Sequence, residues 1–273
     1  MDLKFRNILA GAALAAVLTL PLCRSASAAG VLSVAGRNVW DQASARLVGG
    51  GTTYVSLRTV AGLLAPSSEV SWEDGAAWVR GEGLSLSARP GETWLTVNDR
   101  ALYIPGGVLL EHGRTLVPVR VLAKALGGTV DWSRETGVTL APGSGRAAAP
   151  AYTREELDWM ARIISAESQG EPLLGKIAVG TVVLNRVASR EFPDNIRDVI
   201  FDCQWGTQFE PVANGTIYRE PTRESVLAAK LVLDGARAAG DSLYFLAPEL
   251  TDNHWTMENR EFVARIGCHW FYR

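Results

Sequence analysis

The chain has 273 residues, 47% of them hydrophobic and 21% charged, so it is long enough for two domains and too apolar to be disordered throughout. Its formal net charge of −2 gives no electrostatic basis for binding nucleic acid. The only histidines are His112, His254 and His269, and no ligand spacing typical of a metal site surrounds them. We therefore expect no metal and no cofactor.

The N-terminus has the pattern of a secretory signal. Lys4 and Arg6 precede an apolar run at 8–22, and small residues fill 25–29. This order predicts a cleaved signal peptide over residues 1–29, and hence a secreted protein without a stable membrane span. An uncleaved N-terminal anchor is the alternative. The exported chain would keep Cys203 and Cys268, which either form one disulfide or remain two separate buried thiols.

The region that follows contains an internal repeat. GTTYVSLRTVAGLL at 51–64 matches GRTLVPVRVLAKAL at 113–126, and a Val-x-Trp ending in Trp72 or Trp132 follows each copy. Each copy predicts a strand, a short helix and a further strand that closes on the tryptophan. Additional strands are predicted at Trp94–Val97 and Ala101–Ile104.

These repeats resemble the copper amine oxidase N-terminal-like domain, over nearly all of residues 30–140. The resemblance implies a targeting or spacer module with an α/β-repeat fold. Copper ligation is not expected, because His112 is the only histidine in the region. Arg58 and Arg120, which match between the copies, are interpreted as packing or capping residues rather than a binding pair.

Residues 141–151, APGSGRAAAPA, have the composition of a linker and separate this region from residues 152–273. Thr153 and Glu156 form a capping-box pattern at the start of a helix that Gly170 can end. Further helices are predicted at 173–189, after Pro172, and at 224–239, between Thr222 and Gly240. Short aromatic segments at 201–209, 243–246 and 262–272 predict a small β element, which makes the fold class α+β.

Glu167 occupies an unusual place in the first of these helices. Leu157, Met160, Ala161 and Ile164 form an apolar stripe, and the next position of that stripe is Glu167. A carboxyl group among apolar neighbours has a raised pKa, as a general acid requires near neutral pH. The alternative is a glutamate at the helix end that turns to solvent.

Six motifs in the second region carry a resemblance to a known family. They are AESQGEP (166–172), VLNRV (183–187), FPDNI (192–196), QFEPV (208–212), YFLAP (244–248) and RIGCH (265–269). In this order they resemble the SleB-type cell wall hydrolase family of spore cortex-lytic enzymes. The resemblance implies a small, mostly helical lysozyme-like domain over 152–273, with Glu167 as the catalytic residue. The implied substrate is peptidoglycan, cleaved between N-acetylmuramic acid and N-acetylglucosamine in the cell wall or spore envelope, with a role on spore cortex during germination.

A second catalytic carboxylate is not evident in the sequence. Glu171 is interpreted as a residue that stabilises the turn and the start of the following helix. A single acid favours lytic transglycosylation, in which Glu167 acts first as acid and then as base. The alternative function is a non-catalytic wall-binding protein whose lysozyme-like domain is inactive.

Three further residues are candidates for substrate binding. Gln208 and Phe209 either line the sugar groove, by amide hydrogen bonding and ring stacking, or form a turn beside a core phenylalanine. Tyr244 is expected to orient Glu167 or to touch the substrate through its hydroxyl.

Other polar residues of these motifs have structural interpretations. Asn185 either anchors a buried loop or faces the cleft, and packing is favoured. His269 is expected to be a buried ring with a backbone partner. His254 and Trp255 are assigned to the rim of the cleft.

Overall fold

The computed structural model describes residues 30–204, 206, 208–250 and 255–273. The predicted signal peptide and His254 lie outside the described residues. Across the described ranges the chain is α+β, with strands concentrated in the first half and helices in the second.

Residues 32–141 form three sheets and two short helices. The elements are β1 Leu32–Val34, β2 Arg37–Asn38, β3 Arg46–Val48, β4 Thr52–Ser56, α1 Leu57–Leu64, β5 Glu69–Glu73, β6 Ala76–Gly81, β7 Leu84–Ala88, β8 Trp94–Val97, β9 Arg100–Tyr103, β10 Leu109–Glu111, β11 Arg114–Pro118, α2 Val119–Ala125, β12 Thr129–Ser133 and β13 Gly137–Ala141. The strand orders are β12-β13-β1-β2, β10-β11-β4-β3 and β5-β6-β7-β8-β9. β1 and β13 pair in parallel, which joins the two ends of this region in one sheet.

The internal repeat is confirmed as a repeated strand–helix–strand unit, β4-α1-β5 and β11-α2-β12. β4 and β11 pair antiparallel, with Val55 opposite Val117, so the two copies meet at the centre of one sheet. The hydroxyl of Ser56 accepts a hydrogen bond from the Thr59 N–H and caps α1, whereas Pro118 gives α2 no side-chain cap. The side chains of Arg58 and Arg120 are exposed.

The second half holds six helices and a small sheet among its described residues. The elements are α3 Arg154–Ser168, α4 Leu173–Ala188, α5 Ile196–Phe201, α6 Glu210–Ala213, α7 Arg223–Leu233, β14 Tyr244–Leu246, α8 Trp255–Asn259, β15 Phe262–Ile266 and β16 His269–Tyr272. Short 3-10 turns occur at Thr216–Tyr218 and Pro248–Leu250. The predicted β element is confirmed as the antiparallel sheet β14-β16-β15.

The sequence predicts the start of α3 correctly but not the end of α7. The capping box of α3 is present: Thr153 Oγ1 accepts from the Glu156 N–H at 3.1 Å, and Glu156 Oε2 accepts from the Thr153 N–H at 2.7 Å. The prediction that α7 continues to residue 239 is wrong. α7 ends at Leu233 because Gly235 takes a φ of +104°, which a right-handed helix does not allow.

The strand-rich and helical halves share a buried boundary. Ala101 of β9 is 1% exposed and belongs to the hydrophobic cluster of α3, α4 and α7. Beside it, Arg100 Nε donates to both carboxylate oxygens of Asp234, at 3.0 and 3.3 Å. Arg100 Nη1 also donates to the Ala148 carbonyl at 3.2 Å, so the segment 141–151 is held against this boundary despite its linker composition.

Candidate active site

Glu167 lies in the last turn of α3 and is half-buried. Met160, Ala161 and Ile164 of the same stripe are buried, as the spacing predicts. Burial raises the pKa of Glu167 to about 7, with a further upward contribution from the negative charge of Glu210, while Arg186 acts in the opposite direction. The raised pKa that the sequence predicts is therefore confirmed.

Glu167 opens onto a polar groove of about 450 Å³. The groove is lined by Arg162, Ser165, Ala166, Glu167, Gln169, Glu210, Pro211, Asn214, Thr216, Arg219, Glu220 and Thr222. Its walls come from α3, α6 and the turn leading into α7. A carboxyl group that titrates near neutral pH thus faces an open, hydrogen-bonding channel.

Glu210 is a second acid in this groove that sequence reasoning missed. It is the first residue of α6 and is exposed. The sequence offered one weak signal, its place in the QFEPV motif, but nothing local indicates that residue 210 comes close to residue 167. The sequence indicates no second catalytic carboxylate, and the structure places the carboxyl group of Glu210 in the same groove as Glu167.

Arg186 is the other residue that the sequence analysis passed over. It is 4% exposed, its Nε donates to the Leu243 carbonyl at 2.8 Å, and its guanidinium stacks on Phe192, Phe209 and Tyr244. Burial lowers its pKa to about 10. Nη1 has no hydrogen-bond partner among the described residues. The signal available was an arginine on a mostly apolar helix.

Of the predicted site residues, only Glu167 lines the groove. Gln208 Nε2 donates to the Gly206 carbonyl at 3.3 Å, which is a turn contact. Phe209 is 2% exposed and packs in the core, so its ring offers no face to a sugar, and the core alternative accounts for its position. The Tyr244 hydroxyl accepts from Arg260 Nη2 at 3.0 Å rather than contacting Glu167.

Glu171 stabilises the turn after α3, but its partners are distant in sequence. Both of its carboxylate oxygens accept from the Cys268 N–H at 3.2 Å. The buried ammonium of Lys176 donates to the carbonyls of Gln169, at 3.0 Å, and Glu171. The turn that follows Glu167 is thereby tied to the β15–β16 hairpin.

Asn185 has the favoured structural role, whereas the predictions for His269 and for the two cysteines need correction. Asn185 anchors a loop, donating through Nδ2 to the carbonyls of Gly240 and Ser242 at 3.0 and 2.9 Å, as favoured. His269 is buried, and burial lowers its pKa, but its Nδ1 has no hydrogen-bond partner among the described residues rather than the expected backbone one. Cys203 and Cys268 are both free and exposed, so they form neither a disulfide nor buried thiols.

Comparisons with known proteins bear on both halves. The family model described as Cell Wall Hydrolase matches residues 170–272, beginning three residues after Glu167, and the Copper amine oxidase N-terminal domain model matches residues 33–140. The cell wall hydrolase CwlJ of Bacillus subtilis is 32% identical over 127 residues, which are 44% of this chain and 87% of that protein. The chain belongs to the cell wall hydrolase family.

Two further relatives of this chain are named for lysis of spore cortex and for germination. The spore cortex-lytic enzyme of Bacillus cereus is 35% identical over 120 residues, and the match spans 44% of this chain but only 45% of that enzyme. The solved catalytic domain of the germination-specific lytic transglycosylase SleB from Bacillus anthracis is 33% identical, covers 46% of this chain and 100% of that domain, and has a TM-score of 0.42.

Copper does not fit the residues of the strand-rich half. His112 is exposed in the tight turn between β10 and β11, with a φ of 47°, and residues 30–140 contain no second histidine. No group of three or more His, Cys, Asp or Glu side chains that could hold a metal ion occurs in the described ranges. No helix within those ranges is both long and apolar enough to cross a membrane.

Proposed function

We propose that this chain is an exported lytic transglycosylase that cleaves the glycan strand of peptidoglycan between N-acetylmuramic acid and N-acetylglucosamine. The observation that carries the proposal is Glu167, a carboxyl group with a pKa of about 7 at the edge of a polar groove. Membership of the cell wall hydrolase family supports it, as do relatives named for spore cortex lysis.

In the proposed reaction Glu167 serves as acid and then as base. Protonated Glu167 donates its proton to the glycosidic oxygen as the bond from muramic acid C1 breaks. The resulting carboxylate then takes the proton of the C6 hydroxyl, whose oxygen forms a bond to C1 and closes a 1,6-anhydro ring. No water is consumed, and Glu167 ends protonated as it began. A pKa near 7 suits both steps because each protonation state is well populated at neutral pH.

The domain assignment and the location are part of the same proposal. A signal peptide over 1–29 would direct the chain to the cell wall or spore envelope, and residues 30–140 would act as a targeting or spacer module. Residues 141–151 would connect them to the hydrolase domain at 152–273. Peptidoglycan is the expected partner, with the spore cortex as one form of it.

The test is loss of turbidity of purified cortex and vegetative peptidoglycan, followed by mass spectrometry of the products. Wild type should clear the suspension and release anhydromuropeptides, and Glu167→Gln should not. Glu191→Gln is the matched control, because Glu191 is exposed and lies outside the groove. Equal clearing by wild type and Glu167→Gln would refute the assignment of Glu167, and products with reducing-end muramic acid would refute the transglycosylase step.

A further inference from the structure

We propose that Glu210 is a positioning residue for the reaction: its carboxylate keeps Glu167 in the protonated form that the first step needs. The inference rests on the proposed function, since it concerns how the same acid is kept ready. It assigns Glu210 no contact with the reacting atoms.

The charge of Glu210 is free to act on Glu167. Both side chains line the same groove, and no cation forms an ion pair with Glu210 among the described residues. Glu220, another acid of the groove, differs because Arg162 Nη2 lies 3.6 Å from its carboxylate. An uncompensated like charge disfavours ionisation of its neighbour, whereas a paired one has little effect.

The position of Glu210 is fixed by the core behind it. Phe209, the residue that precedes α6, is buried under the guanidinium of Arg186, whose carbon lies 5.0 Å from the ring centroid. Pro211 is also buried, and the Asn214 N–H donates to the Glu210 carbonyl at 3.0 Å. Glu210 is therefore held between two buried residues at the start of a closed helical turn, and its backbone has little freedom to leave the groove.

The other charged groups around Glu167 do not supply this effect. On α3, Arg162 is bound by Asp158 at 2.8 Å and by the carbonyls of Tyr218 and Arg219. On α4, Arg186 favours the charged form of Glu167 and so opposes Glu210.

The side chains of Arg219 and Glu220 line the groove from the turn after the 3-10 segment, and neither of them shifts the pKa of Glu167. Burial has the largest effect on the pKa of Glu167, and among the neighbouring charges it is Glu210 that raises this pKa further.

The experiment compares pH profiles of glycan-strand cleavage from pH 5 to 9 for wild type, Glu210→Gln, Glu210→Asp and Glu191→Gln. Glu210→Gln removes the charge and should move the basic limb of the pH–rate profile, where the rate falls as the pH rises, to lower pH by about half a unit. The ratio of the rate at pH 8 to that at pH 6 should then fall roughly two- to threefold. Glu210→Asp keeps the charge and should retain the wild-type limb, as should Glu191→Gln.

A second measurement does not depend on activity. In protein labelled with ¹³C at the glutamate carboxyl groups, the signal missing from Glu167→Gln identifies Glu167, and its titration midpoint should fall in Glu210→Gln. An unchanged midpoint and basic limb would overturn the inference. Loss of cleavage at every pH would also overturn it, because Glu210 would then be a catalytic group. Full activity of Glu167→Gln would instead refute the proposed function.

Discussion

Replacing Glu167 by glutamine should stabilise the fold, and increasingly so as the pH rises. Glutamine has nearly the same shape but never ionises, so it avoids the cost of charging a buried carboxyl group. The folded-state pKa of Glu167 is about 7, against an ordinary value of 4.5. A raised pKa means that the folded chain holds a proton that the unfolded chain releases. The contribution that Glu167 makes to the free energy of unfolding is therefore fully present below pH 4.5 and is lost as the pH rises through 7.

The magnitude follows from the size of this shift. Moving from 4.5 to about 7 corresponds to about 3 kcal/mol once the group is fully ionised. At pH 5 most of the folded chains are still protonated, and the penalty is only about 1 kcal/mol. The difference in unfolding free energy between Glu167→Gln and wild type should thus widen by about 2 kcal/mol from pH 5 to pH 8, or roughly 4–8 °C in Tm.

Thermal and urea unfolding at fixed pH values, followed by tryptophan fluorescence and circular dichroism, provide the assay. Glu191→Gln, which removes one exposed carboxyl group, is the matched control. A raised pKa for Glu167 would be refuted if the difference in unfolding free energy between Glu167→Gln and wild type stayed constant or decreased between pH 5 and pH 8. Glu167 would then titrate as an ordinary surface acid. The result is independent of whether the chain cleaves peptidoglycan.

Two further substitutions test the supports of the site. Gly267→Ala should cost about 2 kcal/mol or more, because its φ is +61° and the new Cβ would overlap Oε2 of Glu171. Gly170→Ala, which places its Cβ in open space, should be nearly neutral in the same urea titration. Arg100→Met should cost about 3 kcal/mol, because it removes the closer cation from buried Asp234 and leaves only Lys124, whose Nζ lies 3.7 Å from the carboxylate. Arg80→Met at an exposed ion pair should leave Tm nearly unchanged. Equal effects of the two arginine substitutions would show that the boundary between the halves does not depend on this pair.

Local patterns in the sequence predict the element that carries Glu167. The capping box at Thr153 and Glu156 and the apolar stripe that ends at Glu167 involve residues three or four positions apart, and the helix contains these contacts within itself. For the same reason the repeat in the strand-rich half is readable, since each copy forms its own strand–helix–strand unit. Such features need no knowledge of the remainder of the chain.

The surroundings of Glu167 depend on contacts that no local pattern encodes. Glu210 and Arg186 reach it from other helices, and Glu171 meets Cys268, 97 residues away in sequence. The sugar-stacking prediction for Phe209 fails for the same reason, because an aromatic residue in an irregular stretch has the same local signature whether its ring faces a groove or a guanidinium in the core.

The shared boundary between the halves restricts how this protein can be recombined. Ala101 lies in the interior of the helical half, and Arg100 forms an ion pair with Asp234 there. Exchanging the strand-rich half for a different wall-binding module would therefore expose an apolar surface and leave the Asp234 carboxylate without Arg100. A replacement module would need a strand that supplies both a small residue and a cation at this boundary. Substitutions within either half are therefore easier to accommodate than separation of the two halves.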